Sequence, residues 1–103
     1  MYYAIYCEDV ENSLELRRSV RAAHIMRLEK LQQAGRLLVA GPLLHKDNDN
    51  PLIGGIKGSL IIAEFENREE AKAWAAADPY STAKVYKRVT VEPFKQVLPK
   101  AVE

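Results

Sequence analysis

Only one cysteine, Cys7, occurs in 103 residues. An internal disulfide is therefore impossible, as is a metal centre built from cysteines, and the thiol is expected to pack as a small apolar group in a strand. Long apolar runs are also missing. Met1 to Cys7 (MYYAIYC) has no charged stretch ahead of it and falls well short of the roughly 20 residues of a membrane span. Neither a signal peptide nor a membrane partner is expected, and the chain reads as cytoplasmic. No block of basic residues occurs, and the 15 Lys and Arg nearly balance the 14 Asp and Glu at net +1. A surface built for phosphate contacts is thus absent, and no nucleic-acid partner is expected. There are two histidines, His24 and His45, far apart in sequence. His45, near Asp47, reads as a solvated loop residue rather than a metal ligand. Asp47-Asn48-Asp49-Asn50 resembles the start of a calcium loop, but Pro51 and Leu52 stand where a further oxygen ligand and a glycine belong. No metal and no cofactor are expected.

What is present is a chain of one-domain size, read as a single domain over 1–98 with a C-terminal tail over 99–103. Its longest periodic stretch runs from Ser13 to Pro42. At about 100° per residue, Leu16, Val20, Ala23, His24, Leu28, Leu31 and Ala34 share one face, the core stripe of an amphipathic helix. Ser13 or Asn12 caps its start, and Gly35 closes it. His24 lies inside the apolar stripe, with Arg17 and Arg21 flanking it on the helix surface. Arg27 also projects into the stripe, its stem covered and its guanidinium reaching for an anion or solvent.

Around this helix, Met1–Cys7 and Ser59–Phe65 read as strands apolar on both faces, Arg36–Ala40 as a short strand, and Val85–Phe94 as a strand with one wetter face. Leu43–Gly58 has no consistent period and reads as a long exposed loop. Asn67-Arg68-Glu69-Glu70 is a capping pattern that starts a second helix, with Ala71, Trp74, Ala75 and Asp78 along its buried line. Pro79 ends that helix and leaves Asp78 free to turn its carboxylate toward a partner. As plain alternatives, Asp78 is a turn aspartate bonding nearby amides, and His24 is a core histidine satisfied by one hydrogen bond. The order strand, helix, strand, strand, helix, strand predicts an α+β, ferredoxin-like βαββαβ fold, an antiparallel sheet with two helices on one face. Its two-sided apolar strands require cover on the open face, which predicts a homodimer closed into an α/β barrel.

Over nearly its whole length the chain resembles the YciI-like proteins of the dimeric α/β-barrel group. The resemblance is carried by YYAIYC, by Val20-Arg21-Ala22-Ala23-His24, by Gly35-Arg36-Leu37-Leu38-Val39-Ala40-Gly41-Pro42, by Gly58-Ser59 and by Asp78-Pro79-Tyr80. It departs where the family commonly has an aromatic residue and a threonine, here Ile56 and Lys57, and where it has a glycine, here Lys84. The resemblance implies an active-site pair formed by His24 and Asp78. It also implies acid/base chemistry of a lyase, isomerase or dehydrochlorinase type on a small cyclic or anionic compound. In that arrangement Asp78 orients the imidazole, His24 moves the proton, Arg17 or Arg21 binds an anionic oxygen, and Gly41, Pro42, Ser59 and Tyr80 shape the pocket. The rival is a non-catalytic small-molecule-binding or dimerising regulatory module built on the same pocket.

Overall fold

The computed structural model describes residues 1–100, so residues 101–103 of the expected tail lie outside it. The elements run β1 (Tyr2–Asp9), α1 (Leu14–Gln33), β2 (Leu37–Leu44), α2 (Pro51–Gly54), β3 (Ile56–Glu64), α3 (Arg68–Ala76), α4 (Pro79–Thr82) and β4 (Tyr86–Phe94). The four strands form one sheet in the order β2-β3-β1-β4, and every neighbouring pair is antiparallel. This is the α+β, ferredoxin-like arrangement. Both crossovers, through α1 and through α3, skip over one strand, and right-handed connections of that kind bring the helices to the same face. Among the described residues no helix is long and apolar enough to cross a membrane.

The core lies between that face and the helices. Register pairs Ile5↔Ile61 and Ile5↔Val91 set three side chains in one row, and Tyr3, Cys7, Ala63 and Phe65 extend it. Leu28 and Leu31 of α1 and Ala71 and Ala75 of α3 close over them. At Gly58 β3 needs a residue without a side chain, since a Cβ there would collide with the carbonyl oxygen of Cys7 in β1. The other sheet face carries Ala4↔Ile62 and Tyr6↔Leu60. Ile62 is buried, while Tyr6 and Val39 remain 42% and 50% exposed. The single chain leaves this partly apolar face open.

Three local readings of the sequence are corrected. The buried line of α1 is Arg17, His24, Leu28 and Leu31, whereas Leu16 is 39% exposed and Ala23 and Ala34 face solvent. Arg17 is thus inside the stripe and not on the surface beside His24, because a carboxylate of β1 waits there to neutralise it. The segment Leu43–Gly58 is not a long loop. β2 continues to Leu44, β3 begins at Ile56, and α2 occupies the tip. Asn50 caps α2 by accepting from Leu52 N at 3.0 Å, Pro51 stands at its first position, and Gly55 closes it at φ 72°. Lastly, β1 and β4 shift register between Glu8 and Asp9, so that Arg88 lies opposite Glu8 but Tyr86 opposite Asp9. The bulge turns Tyr86 away from the wetter face, where alternation alone would put it, and into the core.

Candidate active site

A cavity of about 350 Å³ opens between α1, the β2–β3 hairpin and α4. Every fourth or third residue of α1 faces it, which is why Arg17, Arg21, His24 and Leu28 all reach the same space. Ala40, Gly41 and Pro42 form the β2 side, Ser59 and Ile61 the β3 side, and Tyr80 the wall from α4. Seven of the expected site residues, Arg17, Arg21, His24, Gly41, Pro42, Ser59 and Tyr80, therefore line one cavity. Asp78 does not line it and stands behind His24.

Asp78 caps α4 in an extended conformation, with Oδ2 accepting from Tyr80 N at 2.9 Å. The same Oδ2 lies 2.7 Å from His24 Nδ1, and Oδ1 accepts from Arg27 Nη1 at 3.0 Å. The turn aspartate and the histidine partner are thus one residue. Its side chain is 2% exposed and satisfied from three directions. A carboxylate accepts only, so the proton shared with His24 sits on Nδ1, and Nε2 carries the lone pair or a second proton. Among the described residues Nε2 has no protein partner. The imidazole is 5% exposed and stacks on the Tyr80 ring at 3.8 Å and 13°.

A second buried carboxylate lies deeper. Asp9 ends β1 on the same face as Tyr3, Ile5 and Cys7 and holds Arg17 through two oxygens, Nε to Oδ2 at 2.6 Å and Nη2 to Oδ1 at 2.9 Å. Ser13, at the start of α1, donates to Asp9 Oδ2 at 2.5 Å instead of capping its helix with its side chain. Arg17 Nη2 also donates to Ser59 Oγ at 2.8 Å, and the guanidinium lies 4.8 Å from the Tyr80 ring. Burial by itself would make this guanidinium easier to deprotonate, but the hydrogen bonds and charge of Asp9 outweigh it and hold Arg17 more firmly protonated than usual. Arg17 is therefore a permanent, neutralised cation in the wall.

Three weak acids beside the site, Cys7, Tyr80 and Tyr86, stay neutral. Burial pushes the Cys7 thiol up to about 12, so it is no nucleophile at neutral pH. Burial also raises the Tyr80 phenol, against the opposing pull of Arg17 and Arg21. Tyr86, edge-on to Tyr80 at 5.8 Å, is raised by burial and then by Cys7, against the opposing pull of Ser59 and Arg17. Among the described residues no group of three potential metal ligands occurs.

Asp9, Arg27 and Tyr86 are the site neighbours that sequence reasoning passed over or placed elsewhere. Asp9 carried a readable signal, since it continues the odd-numbered apolar row of β1 two residues past Cys7. Arg27 was legible as a cation in the stripe, one turn after His24, but its partner was not. Tyr86 was hidden by the bulge.

Residues 1–95 match the YCII-related domain family. The protein YciI of Escherichia coli O6:H1 is 54% identical over 97 residues, which cover 94% of this chain and 99% of that protein. An uncharacterized protein of Haemophilus influenzae is 52% identical over the same shares. Among solved structures, the chain is similar to 5-chloro-2-hydroxyhydroquinone dehydrochlorinase (TftG) from Burkholderia phenoliruptrix AC1100 in complex with 2,5-dihydroxybenzoquinone. That match has a TM-score of 0.82 and 30% identity, and covers 92% of this chain and 94% of the other.

Proposed function

The chain belongs to the YCII-related family, and from that premise we propose that it is a cofactor-independent acid/base enzyme of lyase, isomerase or dehydrochlorinase type. His24 and Asp78 form its working pair, and its substrate is a small cyclic compound. The observation that carries this reading is the 2.7 Å contact of His24 Nδ1 with Asp78 in a residue that lines a ring-sized cavity. With Nδ1–H donated to Asp78, neutral His24 presents the Nε2 lone pair as a general base for an O–H or C–H proton of the substrate. Asp78 stabilises the imidazolium that results. In an elimination the electron pair left behind expels the leaving group; in an isomerisation the proton returns to another atom. Ser59 accepts from Arg17 and keeps its own hydroxyl proton, which it can donate to a substrate oxygen in place of Tyr86. Tyr80 supplies a flat wall, Gly41 and Pro42 the opposite edge, and Arg21 a cation. Similarity to a dehydrochlorinase of a hydroxylated ring supports the substrate class.

On the same reading the chain works in the cytoplasm as a homodimer, residues 1–98 acting as one domain. The second copy covers the sheet face that carries Tyr6 and Val39; a stable monomer in sedimentation at micromolar concentration would remove the dimer. Catalysis is tested by incubating the protein in D2O with a panel of hydroxylated and halogenated ring compounds and following them by NMR. Deuterium wash-in or halide release is expected, and is expected to vanish in His24→Asn and Asp78→Asn. Ligands that bind beside His24 without exchange or turnover across the panel would establish the binding-module alternative.

A further inference from the structure

We propose that the ligand of this cavity is a small monoanion with an otherwise apolar body, its single charge held at the rim by Arg21. The inference rests on the reading of the cavity as the substrate site and adds to it the charge and orientation of what binds. Three arginines line the cavity, Arg17, Arg18 and Arg21, and among the described residues no carboxylate does. One of the three is neutralised in a buried pair and a second is loosely engaged at the surface. Arg17 is held by both oxygens of Asp9, and each side chain of that pair is almost fully buried. Arg18 pairs with Glu15 at 3.2 Å across one helical turn. Arg21 has no hydrogen bond or ion pair with any described residue, and it projects from the exposed side of α1 at the cavity rim.

His24 adds no charge either in the neutral form that the proposed function gives it, with Nδ1–H donated to Asp78. Arg21 is therefore the one arginine of the three that has no partner among the described residues, and its charge opposes the rise of the Tyr80 phenol. Away from Arg17, His24, Ser59 and Tyr80 much of the lining is apolar, with Ile25, Leu28, Ile56 and Ile61. An anionic group placed there would lose its water without gaining a partner, whereas a ring or short chain gains from burial. A ligand with one charge at one end satisfies both conditions. A dianion gains less, because its second charge meets Arg17, already neutralised by Asp9, Arg18, already shared with Glu15, or the apolar wall.

The test uses benzoate, benzamide and phthalate, three rings that differ in charge, titrated into the full-length protein and followed through the His24 ring signals by NMR. Benzoate is expected to bind roughly fivefold more tightly than benzamide, the ratio of about 1 kcal/mol of a part-exposed ion pair. The advantage should shrink as salt is raised, and phthalate should bind no more tightly than benzoate. Arg21→Gln, at an exposed helix position and with similar helix propensity, should remove the discrimination, and Arg21→Lys should keep most of it. Equal affinity for benzoate and benzamide in the parent would overturn the proposal. So would discrimination that survives in Arg21→Gln, a preference for phthalate, or no response to any of the three. The catalytic reading fails separately. Acid selectivity without proton exchange leaves a monoanion-binding module, while exchange on neutral rings that is indifferent to Arg21 leaves an enzyme without this specificity.

Discussion

Replacing Asp9 by Asn should be among the most damaging isosteric changes available in this chain. Asp9 accepts three hydrogen bonds, two from Arg17 and one from Ser13, and its side chain and that of Arg17 are 1% and 7% exposed. An amide keeps the shape but removes the charge, and one of its two positions becomes a donor that faces the donors of Arg17. A guanidinium then remains buried with only Ser59 as a good acceptor. Breaking a buried pair from one side costs about 3–5 kcal/mol, against the roughly 5–15 kcal/mol that holds a domain of this size together. At about 4–8 °C per kcal/mol the melting temperature should fall by at least 12 °C or so. Urea unfolding, read by far-ultraviolet circular dichroism at fixed protein concentration, measures it. Glu15→Gln is the control, because the Glu15–Arg18 pair is 84% and 57% exposed and should contribute only a few tenths of a kcal/mol. The double change Asp9→Leu with Arg17→Met should recover a large part of the loss, since the uncompensated charge goes with it. If Asp9→Asn costs no more than Glu15→Gln, the pair is solvated in solution and the account of the α1 stripe is wrong.

Trp74 is half-buried, packed on Phe65 and covered by Arg27 at 4.4 Å, so Trp74→Ala should cost about 1–3 kcal/mol by urea unfolding, less than the 3–5 of a fully buried tryptophan. Lys84 sits at φ 66°, and Lys84→Gly should raise stability by up to about 1 kcal/mol; a loss would mean that its side chain makes a contact worth more than the strain. Cys7 remains protonated in the fold up to about 12 but ionises from 9.0 once unfolded. The stability this contributes is fully present below pH 9 and is lost toward pH 12 at about 1.4 kcal/mol per pH unit, with Tyr86 adding a second such slope above its ordinary value of 10.0. Urea midpoints from pH 8 to 11 in the parent and in Cys7→Ala check it, and identical slopes in the two proteins would refute it.

The fold was legible because its elements obey simple periods. Alternation in SLIIAEF and the 100° pattern through Leu28 and Leu31 need no tertiary knowledge, and together with the capping Asn67 they define the βαββαβ order. What was not legible depends on pairs. Arg17 looks like a surface residue until Asp9 is known to end a strand on the buried face, and that single neutralisation shifts the helix stripe away from Leu16 and Ala23. A bulge leaves no mark in the local pattern of either strand, so Tyr86 could not be placed. In the hairpin tip, the Asn50-Pro51 start and the Gly55 stop were present as signals but were read as loop punctuation, because four residues are too few to show a period. His24, Asp78 and Tyr80 stood out through resemblance, and their spacing alone did not distinguish a core histidine from a working one.

The two buried carboxylates behind the cavity make opposite uses of the same geometry. Asp9 faces a group that never releases its proton, so its pair is fixed and serves to hold Ser59 and the Tyr80 wall in place. Asp78 divides its oxygens between Arg27, which is always charged, and His24, which is not. On the proposed reading this division matters for turnover. When His24 is neutral, Arg27 and the Tyr80 amide still satisfy Asp78, so the carboxylate does not become an orphaned buried charge between proton transfers. A buried carboxylate with fewer donors would lean more on its histidine and favour the protonated imidazole more strongly. On that proposed reading, the cation one turn after the histidine helps a fully buried aspartate serve a group that must both take and return a proton.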